Sequence, residues 1–277
     1  MSVLRTGVRL ALSTHPAPSV AVTTVAALLS AAIGRDLVGG ALVSAAVLAG
    51  QLSIGWGNDW LDRDRDRRAG RVDKPLAAGQ LSPQLVARSA GVALGACVVL
   101  SLLTGVLAGS LHLIAVASGW AYNLGLKATV ASPLPFAVSF GLLPAFVVAA
   151  APGSPAAPPW LVLAGALLGT GAHFANVLPD LAADQAAGVR GAGHRLGRTG
   201  CTAAAAGLLL ASVAVLAVAP PGPTGAVGWS ALAGAVVLGG AGFVLGRRAG
   251  SRAAFGGVLV VAVVAVVLLV LSGTTLR

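Results

Sequence analysis

The chain has 277 residues, of which 57% are hydrophobic and only 9% are charged. Ordinary globular domains are roughly 45–50% apolar, and runs of about twenty apolar residues recur here, so the composition excludes a typical soluble domain and indicates transmembrane helices. The formal charge of +10 does not indicate nucleic-acid binding, because the basic residues lie in loops rather than in a patch with aromatic platforms.

The apolar runs predict an all-α polytopic membrane protein with about nine transmembrane helices. Their predicted bounds are 17–34, 37–57, 84–108, 110–126, 131–151, 159–179, 200–219, 225–246 and 253–272. Residues 1–20 are interpreted as a cytoplasmic arm or an interfacial helix, because their apolar patch is too short for a signal peptide. Cys97 and Cys201 fall in or beside apolar runs, which favours buried thiols over a disulfide or a metal site.

The basic residues follow the alternation of these predicted helices. If the N-terminus is cytoplasmic, sixteen of the eighteen Lys and Arg lie on the cytoplasmic side, and only Arg35 and Arg277 lie outside. This bias follows the positive-inside rule and therefore predicts a cytoplasmic N-terminus. The abundance of Ala, Gly and Val is typical of a high-GC bacterial sequence, which favours a bacterial cell membrane.

The acidic residues are concentrated in two segments. The chain has no Glu and eight Asp, of which five lie in residues 58–74 and two in residues 176–190. Each segment repeats one spacing, with residues Asn58, Asp62, Asp66 and Gly70 in the first and Asn176, Asp180, Asp184 and Gly188 in the second. Residues four apart share a helix face, where like charges repel unless a cation compensates them. Oxygen ligands suit Mg²⁺, which binds one or two carboxylates plus substrate phosphates, so two facing segments predict a diphosphate site.

The first segment, Asn58-Asp59-x-x-Asp62-x-x-x-Asp66, resembles the NDxxDxxxD signature of the UbiA superfamily of intramembrane prenyltransferases. The continuation RVDKPLAAG over residues 71–79 is similar to the family's basic-Pro-Leu-Gly sequence, and the second segment resembles its DxxxD motif. The resemblance covers essentially the whole chain. It implies a single integral-membrane domain over residues 1–277, with about nine helices around a central cavity and both acidic segments on the cytoplasmic side.

The resemblance implies that a prenyl diphosphate is ionised beside Mg²⁺ ions. The implied Mg²⁺ carboxylates are Asp62, Asp66, Asp180 and Asp184, with support from Asn58, Asp59 and Asn176. The cations expected to hold phosphate oxygens are Lys127, Arg71, Lys74 and Arg190. Lys127 departs slightly from the family pattern, because Tyr122 stands one residue further from it than in the usual Tyr-x-x-x-Lys element. Asp64 lies outside the register and is expected to pair with a neighbouring Arg.

Several side chains are expected near the prenyl chain or the acceptor, namely Tyr122, Trp56, Trp60, Trp120, Phe136, Phe140, His173 and Phe174. Each aromatic residue taken alone is more often a packing or membrane-interface residue. His173 is either a base or pocket polar group, or a helix-interface histidine. The other histidines, His15, His112 and His194, are interpreted as loop or interface residues.

The main functional interpretation is transfer of the prenyl group from a polyprenyl diphosphate to an aromatic or lipid acceptor. The alternative is a terpene cyclase of the same superfamily, which would quench the cation internally or with water. A transporter or scaffold is disfavoured, because the acids lie at helix ends rather than at mid-membrane. The expected partners are the prenyl diphosphate, an acceptor and the lipid bilayer, without nucleic acid, and the sequence identifies no protein partner.

Overall fold

The computed structural model describes residues 3–179, 181, 188–249 and 251–276. Within these ranges the chain forms ten α-helices and no strand. Their bounds are Val3–Leu12 (α1), Pro16–Ala32 (α2), Leu37–Arg68 (α3), Pro83–Leu103 (α4), Val106–Leu124 (α5), Leu134–Ala149 (α6), Pro159–Val177 (α7), Ala192–Val218 (α8), Ala226–Ala249 (α9) and Ser251–Ser272 (α10), with 3₁₀ helices at Leu126–Ala128 and Gly273–Leu276. The all-α prediction is confirmed, and each predicted apolar segment overlaps one of the helices α2 to α10.

Several of these helices have the properties of membrane spans. Within the described ranges, α3, α4, α7 and α8 are each long and apolar enough to cross a membrane. The pair α1 and α2 also qualifies as one broken span, although it is bent by 74°. Helix α6 and the apolar parts of α9 and α10 are shorter. These helices support a polytopic membrane protein, while the count of nine crossings and the side of the N-terminus stay predictions.

Local sequence signals set several helix ends. Asp36, the acid outside both acidic segments, caps α3 by accepting a hydrogen bond from the Gly39 amide at 3.0 Å. Ser82 caps α4 by accepting a hydrogen bond from the Leu85 amide at 3.2 Å, which is where the sequence predicts a helix start. Gly105 separates α4 from α5 with a φ of 112°, a value that glycine adopts readily. The predicted third segment, 84–108, is therefore too long.

Helix α3 determines where the first acidic segment lies. It is continuous over 32 residues, well beyond the predicted bounds 37–57. At 1.5 Å per residue it extends about 48 Å, whereas a hydrocarbon core is about 30 Å thick. Neither Pro nor Gly occurs between residues 58 and 68, and the chain turns only at Gly70, which has a φ of 67°. The first acidic segment is therefore the end of a rigid helix.

The helices pack around two groups of buried apolar residues, one centred on α7 to α10 and the other on α2, α3, α5 and α6. Between α2, α3, α5 and α6 lies a cavity that is lined by residues of these four helices. Gly165 of α7 allows a close approach to α6, because its Cα lies against the carbonyl of Phe140. Cys97 and Cys201 are both buried and unpaired, which confirms their interpretation as buried thiols.

The N-terminal arm forms helix α1, which is attached to α3. The indole Nε1 of Trp56 on α3 donates a hydrogen bond to the Leu10 carbonyl at 2.9 Å. Leu4, Val8 and Leu12 are spaced four residues apart and are 78%, 54% and 56% exposed. The arm is therefore a helix with an exposed apolar face, as expected of an interfacial helix, and its place at a membrane surface stays a prediction.

Substitution of Gly165 by Ala is expected to lower the apparent melting temperature in detergent by several degrees. The added methyl group would collide with the Phe140 carbonyl, and overpacking of this kind costs about 1–3 kcal/mol. Gly207→Ala on α8 is the matched control, since none of the described atoms lies within 4 Å of a Cβ at that position. An equal loss of thermal stability in both variants, measured by intrinsic fluorescence, would contradict the close approach of α6 and α7.

Candidate active site

Three carboxylates form a buried stripe at the end of α3, called here the acid stripe: Asp59, Asp62 and Asp66. Their residues are 3%, 6% and 5% exposed. The spacing of three and four residues places them on one helix face. Asp64 lies on another face, is exposed, and pairs with two arginines of the same helix at 3.5 and 3.7 Å. The prediction that Asp64 lies outside the four-residue spacing and pairs with a neighbouring Arg is confirmed.

Lys74 joins the two ends of the acid stripe. Its Nζ lies 3.0 Å from Oδ1 of Asp59 and 2.8 Å from Oδ2 of Asp66. The turn at Gly70 brings Lys74 back along α3, and His15 Nε2 lies 3.3 Å from the same Asp59 oxygen. Burial alone would lower the pKa of Lys74, but the two carboxylates more than offset that effect and raise it. Lys74 is therefore a cation at neutral pH.

Lys127 holds the middle carboxylate of the stripe. It lies in the 3₁₀ helix between α5 and α6, and its Nζ is 2.5 and 2.6 Å from the two oxygens of Asp62. Arg65 also donates to Asp62, at 2.8 Å. Burial lowers the pKa of Lys127, with the Asp62 charge acting in the opposite direction. Sequence reasoning did not identify Arg65, because its neighbours in the arginine-rich run look equivalent.

Two asparagines fix the start of the acid stripe relative to α5. Asn58 Nδ2 donates to Asp62 Oδ2 and to Asn123 Oδ1, both at 3.1 Å. Asn123 Nδ2 in turn donates to the Ile54 carbonyl at 3.0 Å. Asn123 is a site residue that the sequence analysis missed. The sequence feature that could have identified Asn123 is a polar amide next to Tyr122, at the end of a largely apolar helix.

The other two predicted cations lie elsewhere. Arg71 forms a two-pronged pair with Asp73, with a shortest distance of 2.9 Å, and this contact lowers the pKa of Asp73. Arg190 is exposed, but the residue after it, Gly191, lies against the carbonyl of Lys127. The structure thus brings Lys74 and Lys127 to the acid stripe, and it brings the chain that follows the second acidic segment close to Lys127.

The second acidic segment is described only in part. Asn176 is exposed in the last turn of α7. Asp180 and Asp184 lie outside the described residues, so the predicted meeting of the two segments stays a prediction. Among the described residues, no three His, Cys, Asp or Glu side chains converge as a metal site. Asp62 and Asp66, one turn apart and buried, nevertheless offer the two hard oxygen ligands that Mg²⁺ commonly takes from protein.

Four of the predicted pocket residues form one ring cluster. His173 lies 5.9 Å from Tyr122, 5.0 Å from Phe136 and 5.2 Å from Phe174, measured between ring centroids. Phe136 stacks on Phe140 at 6.3 Å, and Phe140 lines the cavity. The cluster therefore connects the predicted pocket residues of α5, α6 and α7 to the cavity.

Ser132 links this ring cluster to the second acidic segment. Its Oγ lies 3.1 Å from His173 Nε2 and accepts a hydrogen bond from the Ala192 amide, also at 3.1 Å. His173 is only 1% exposed. The contact supports the interpretation of His173 as a helix-interface histidine, and Ser132 is a positioning residue that the sequence alone did not indicate.

The three predicted tryptophans occupy packing positions. Trp56 binds α1, and Trp60 packs beside the guanidinium of Arg63, with 5.2 Å between Cζ and the ring centroid. Trp120 Nε1 donates to Ser53 Oγ at 3.2 Å, and its ring lies against Gly57. None of the three lines the described cavity, so the packing interpretation fits them better than a pocket role.

Comparisons with known proteins agree with this architecture. The sequence model of the UbiA prenyltransferase family matches residues 19–255. The apo structure of a UbiA homolog from Aeropyrum pernix K1 is 21% identical, with a TM-score of 0.70 over 98% of this chain and 99% of that chain. No curated protein matches the sequence.

Two further solved structures are similar. A UbiA homolog from Archaeoglobus fulgidus, solved with GPP and Mg²⁺, is 14% identical with a TM-score of 0.71, over 95% of this chain and 99% of that chain. A digeranylgeranylglyceryl phosphate synthase is 17% identical with a TM-score of 0.70, over 99% of both chains. At these identities the likeness to solved structures establishes the fold alone.

Replacement of Lys74 by Met is expected to destabilise the protein strongly. Loss of the ammonium group leaves two buried carboxylates without their shared partner, which costs up to about 3–5 kcal/mol. Arg67→Met is the control, because the ion pair of Arg67 among the described residues is with the exposed Asp64, and such pairs contribute about 0–1 kcal/mol. The apparent melting temperature in detergent measures the difference. Adding Asp59→Asn to Lys74→Met should recover part of the loss, and equal melting temperatures in all variants would contradict the bridging role.

Proposed function

The chain belongs to the UbiA prenyltransferase family, and from this membership and its acidic site we propose that it is an Mg²⁺-dependent prenyltransferase. It ionises a polyprenyl diphosphate and transfers the prenyl group to an aromatic or lipid acceptor, releasing diphosphate. The observation that carries the proposal is the buried acid stripe with Lys74 and Lys127 bound to it. The solved complexes of one structural neighbour with GPP and Mg²⁺, and with DMAPP and Mg²⁺, support the substrate class and the cofactor.

The charge balance of the site supports a metal requirement. The three carboxylates of the acid stripe are offset by three cationic side chains, Lys74, Lys127 and Arg65. A bound diphosphate adds further negative charge that this balanced set does not compensate. When bound, Mg²⁺ supplies Lewis-acid stabilisation of the charge that develops on the leaving diphosphate. We assign its ligands to Asn58, Asp59, Asp62, Asp66, Asn176, Asp180 and Asp184.

The protein's own cations hold the leaving group in place. Lys127 and Lys74 lie within hydrogen-bond distance of the carboxylates, so they can also reach phosphate oxygens bound there. Arg190 contributes from the end of the second segment, next to Gly191, which lies against the Lys127 carbonyl. Arg71 is the weakest candidate because it pairs with Asp73. The positive charges fix the orientation of the diphosphate and direct the prenyl chain along α3.

The cavity accommodates the prenyl chain. Its lining begins at Ile54, one helical turn before Asn58, and is mostly apolar. Apolar walls exclude water from a prenyl cation, and the rings beside Phe140 offer π-faces to positive charge.

We further propose that the whole chain, residues 1–277, is one integral-membrane domain in a bacterial cell membrane. The acid stripe faces the cytoplasm in this proposal, because the predicted alternation of helices puts sixteen of the eighteen Lys and Arg on that side.

Asp62→Ala is expected to reduce Mg²⁺-dependent diphosphate release from GPP at least about 100-fold, the usual effect of removing one group that stabilises developing charge. Asp64→Ala is the control, because Asp64 lies on the same helix but is exposed. Release is measured with an enzyme-coupled phosphate assay in nanodiscs, with and without a chelator. Unreduced release by Asp62→Ala would overturn the metal assignment, and unreduced release in the chelator would overturn the Mg²⁺ requirement.

Lys127→Met is expected to raise the KM for GPP roughly tenfold or more, since a hydrogen bond to a charged group contributes about 1.5–3 kcal/mol. Lys127→Arg should restore much of the affinity because it keeps the positive charge. Steady-state kinetics of diphosphate release measure both constants. An unchanged KM in Lys127→Met would show that Lys127 holds Asp62 only and does not contact the substrate.

An acceptor-free reaction separates prenyl transfer from cyclisation. The purified protein is incubated with Mg²⁺ and geranyl, farnesyl or geranylgeranyl diphosphate, and the organic extract is analysed by mass spectrometry. We expect slow diphosphate release that an aromatic or lipid acceptor accelerates. A cyclic hydrocarbon or alcohol formed at a catalytic rate without acceptor would replace the transfer proposal with a terpene cyclase.

A further inference from the structure

The cavity is not uniformly apolar. Three of its lining residues carry polar side chains: Gln51 on α3, His112 on α5 and Ser139 on α6. His112 is 4% exposed and lies inside α5, where it contacts Ser101 and Phe146, so of the two predicted positions, loop or interface, it occupies the interface. Ionisable and strongly polar groups at membrane depth are expensive, and they commonly mark a substrate path.

The hydrogen bonds of His112 define what its ring offers to the cavity. Ser101 Oγ donates to the Cys97 carbonyl at 2.5 Å and lies 2.7 Å from His112 Nδ1. The Ser101 hydroxyl and His112 Nδ1 hydrogen-bond to each other, and His112 Nε2 is the ring nitrogen that is left for a ligand. Nε2 has no hydrogen-bond partner among the described residues, while the ring face is stacked on Phe146 at 4.5 Å.

Gln51 lines the same cavity as this ring. The Gln51 side chain is half-buried and has no hydrogen-bond partner among the described residues. The cavity therefore presents His112 Nε2 together with an amide that can both donate and accept. Ser139 is less available, because its hydroxyl proton is donated to the Ala115 carbonyl at 2.8 Å.

Gln51 lies on the same face of α3 as Asn58 and Asp62. On α3, residues 47, 51, 54, 58 and 62 are separated by four, three, four and four positions, so they lie on one face. Gln51 is eleven residues before Asp62, which is about 16 Å along the helix axis. A prenyl chain directed inward from the acid stripe, or an acceptor lying beside it, would meet Gln51 and His112.

We propose that Gln51 and His112 form a recognition site for a hydroxyl group carried by a substrate inside the cavity. A hydroxyl both donates and accepts, so it can pair with His112 Nε2 in either tautomer and with the Gln51 amide, which also donates and accepts. This inference rests on the proposed function, since it describes a substrate of the same cavity. The hydroxyl belongs either to a phenolic or alcoholic acceptor or to a hydroxylated prenyl tail.

Binding of matched probe pairs tests the proposal without requiring turnover. The first pair is 2-naphthol and 2-methylnaphthalene, and the second is 8-hydroxygeranyl diphosphate and geranyl diphosphate. Dissociation constants are measured by calorimetry on the full chain in nanodiscs. We expect the hydroxylated member of at least one pair to bind about tenfold more tightly, as one net buried hydrogen bond allows. Preference within the first pair indicates the acceptor, and preference within the second pair indicates the prenyl tail.

Two variants attribute the preference to its residues. His112→Phe keeps an aromatic ring against Phe146, and Gln51→Leu changes a half-buried side chain with little risk to folding. Either variant should reduce the preference to below about threefold, mainly by weakening the hydroxylated probe. Val22→Ala is the control, because loss of an apolar wall residue should weaken both members of a pair equally.

Equal binding within both pairs, or a preference that persists in both variants, would overturn the proposed hydroxyl site. This failure is distinct from failure of the prenyltransferase proposal, which the absence of diphosphate release from GPP by the wild-type protein would signal. A protein that releases diphosphate but shows no hydroxyl preference is a prenyl-diphosphate enzyme with an unspecific cavity.

Discussion

The buried ion pair between Asp62 and Lys127 ties together parts of the chain that are far apart in sequence. Asp62 is on the last turns of α3, and Lys127 is in the 3₁₀ helix that joins α5 to α6. A buried carboxylate left without its partner costs several kcal/mol, so these elements cannot shift independently. Lys74 likewise fixes the turn that follows α3, because its ammonium group lies between Asp59 and Asp66. The end of α3, that turn and the 3₁₀ helix after α5 are therefore held together around the acid stripe.

The sequence predicted this unit in part, and physical reasons separate the successes from the misses. A period of four residues identifies which acids share a face, and it correctly set Asp64 apart from Asp62 and Asp66. The family resemblance, and not this period, implied that Lys74 and Lys127 lie near the acids. Periodicity does not show which neighbour covers a face, so it gave no role to Arg65 or Asn123. The continuation of α3 to Arg68 was missed because charged residues ended the apolar run without ending the helix.

The aromatic residues show the same distinction. Trp56 and Trp120 carry indole N–H groups that need acceptors when buried, and they find them in the Leu10 carbonyl and Ser53. Those partners lie on other helices, so only the packed structure separates such anchors from pocket residues. Tyr122 and Phe136 do meet His173, although the extra residue before Lys127 left the position of Tyr122 undetermined by sequence. Helix α5 ends at Leu124, and the 3₁₀ helix that follows places Lys127 at Asp62 in spite of that extra residue.

One face of α3 connects the charged end of the site to the interior of the cavity. Asp62 and Asn58 lie at one end of this face, Ile54 follows, and Gln51 places a polar amide deeper within the membrane protein. An isoprenoid chain consisting only of hydrocarbon would leave His112 Nε2 and the Gln51 amide without a hydrogen-bond partner in the cavity, and a buried polar group without a partner costs about 1–3 kcal/mol. A ligand with an anionic head, an apolar middle and a neutral polar group further along matches the whole face. Under the two proposals, the arrangement of polar residues along α3 would constrain the substrate at both ends, rather than at the diphosphate alone.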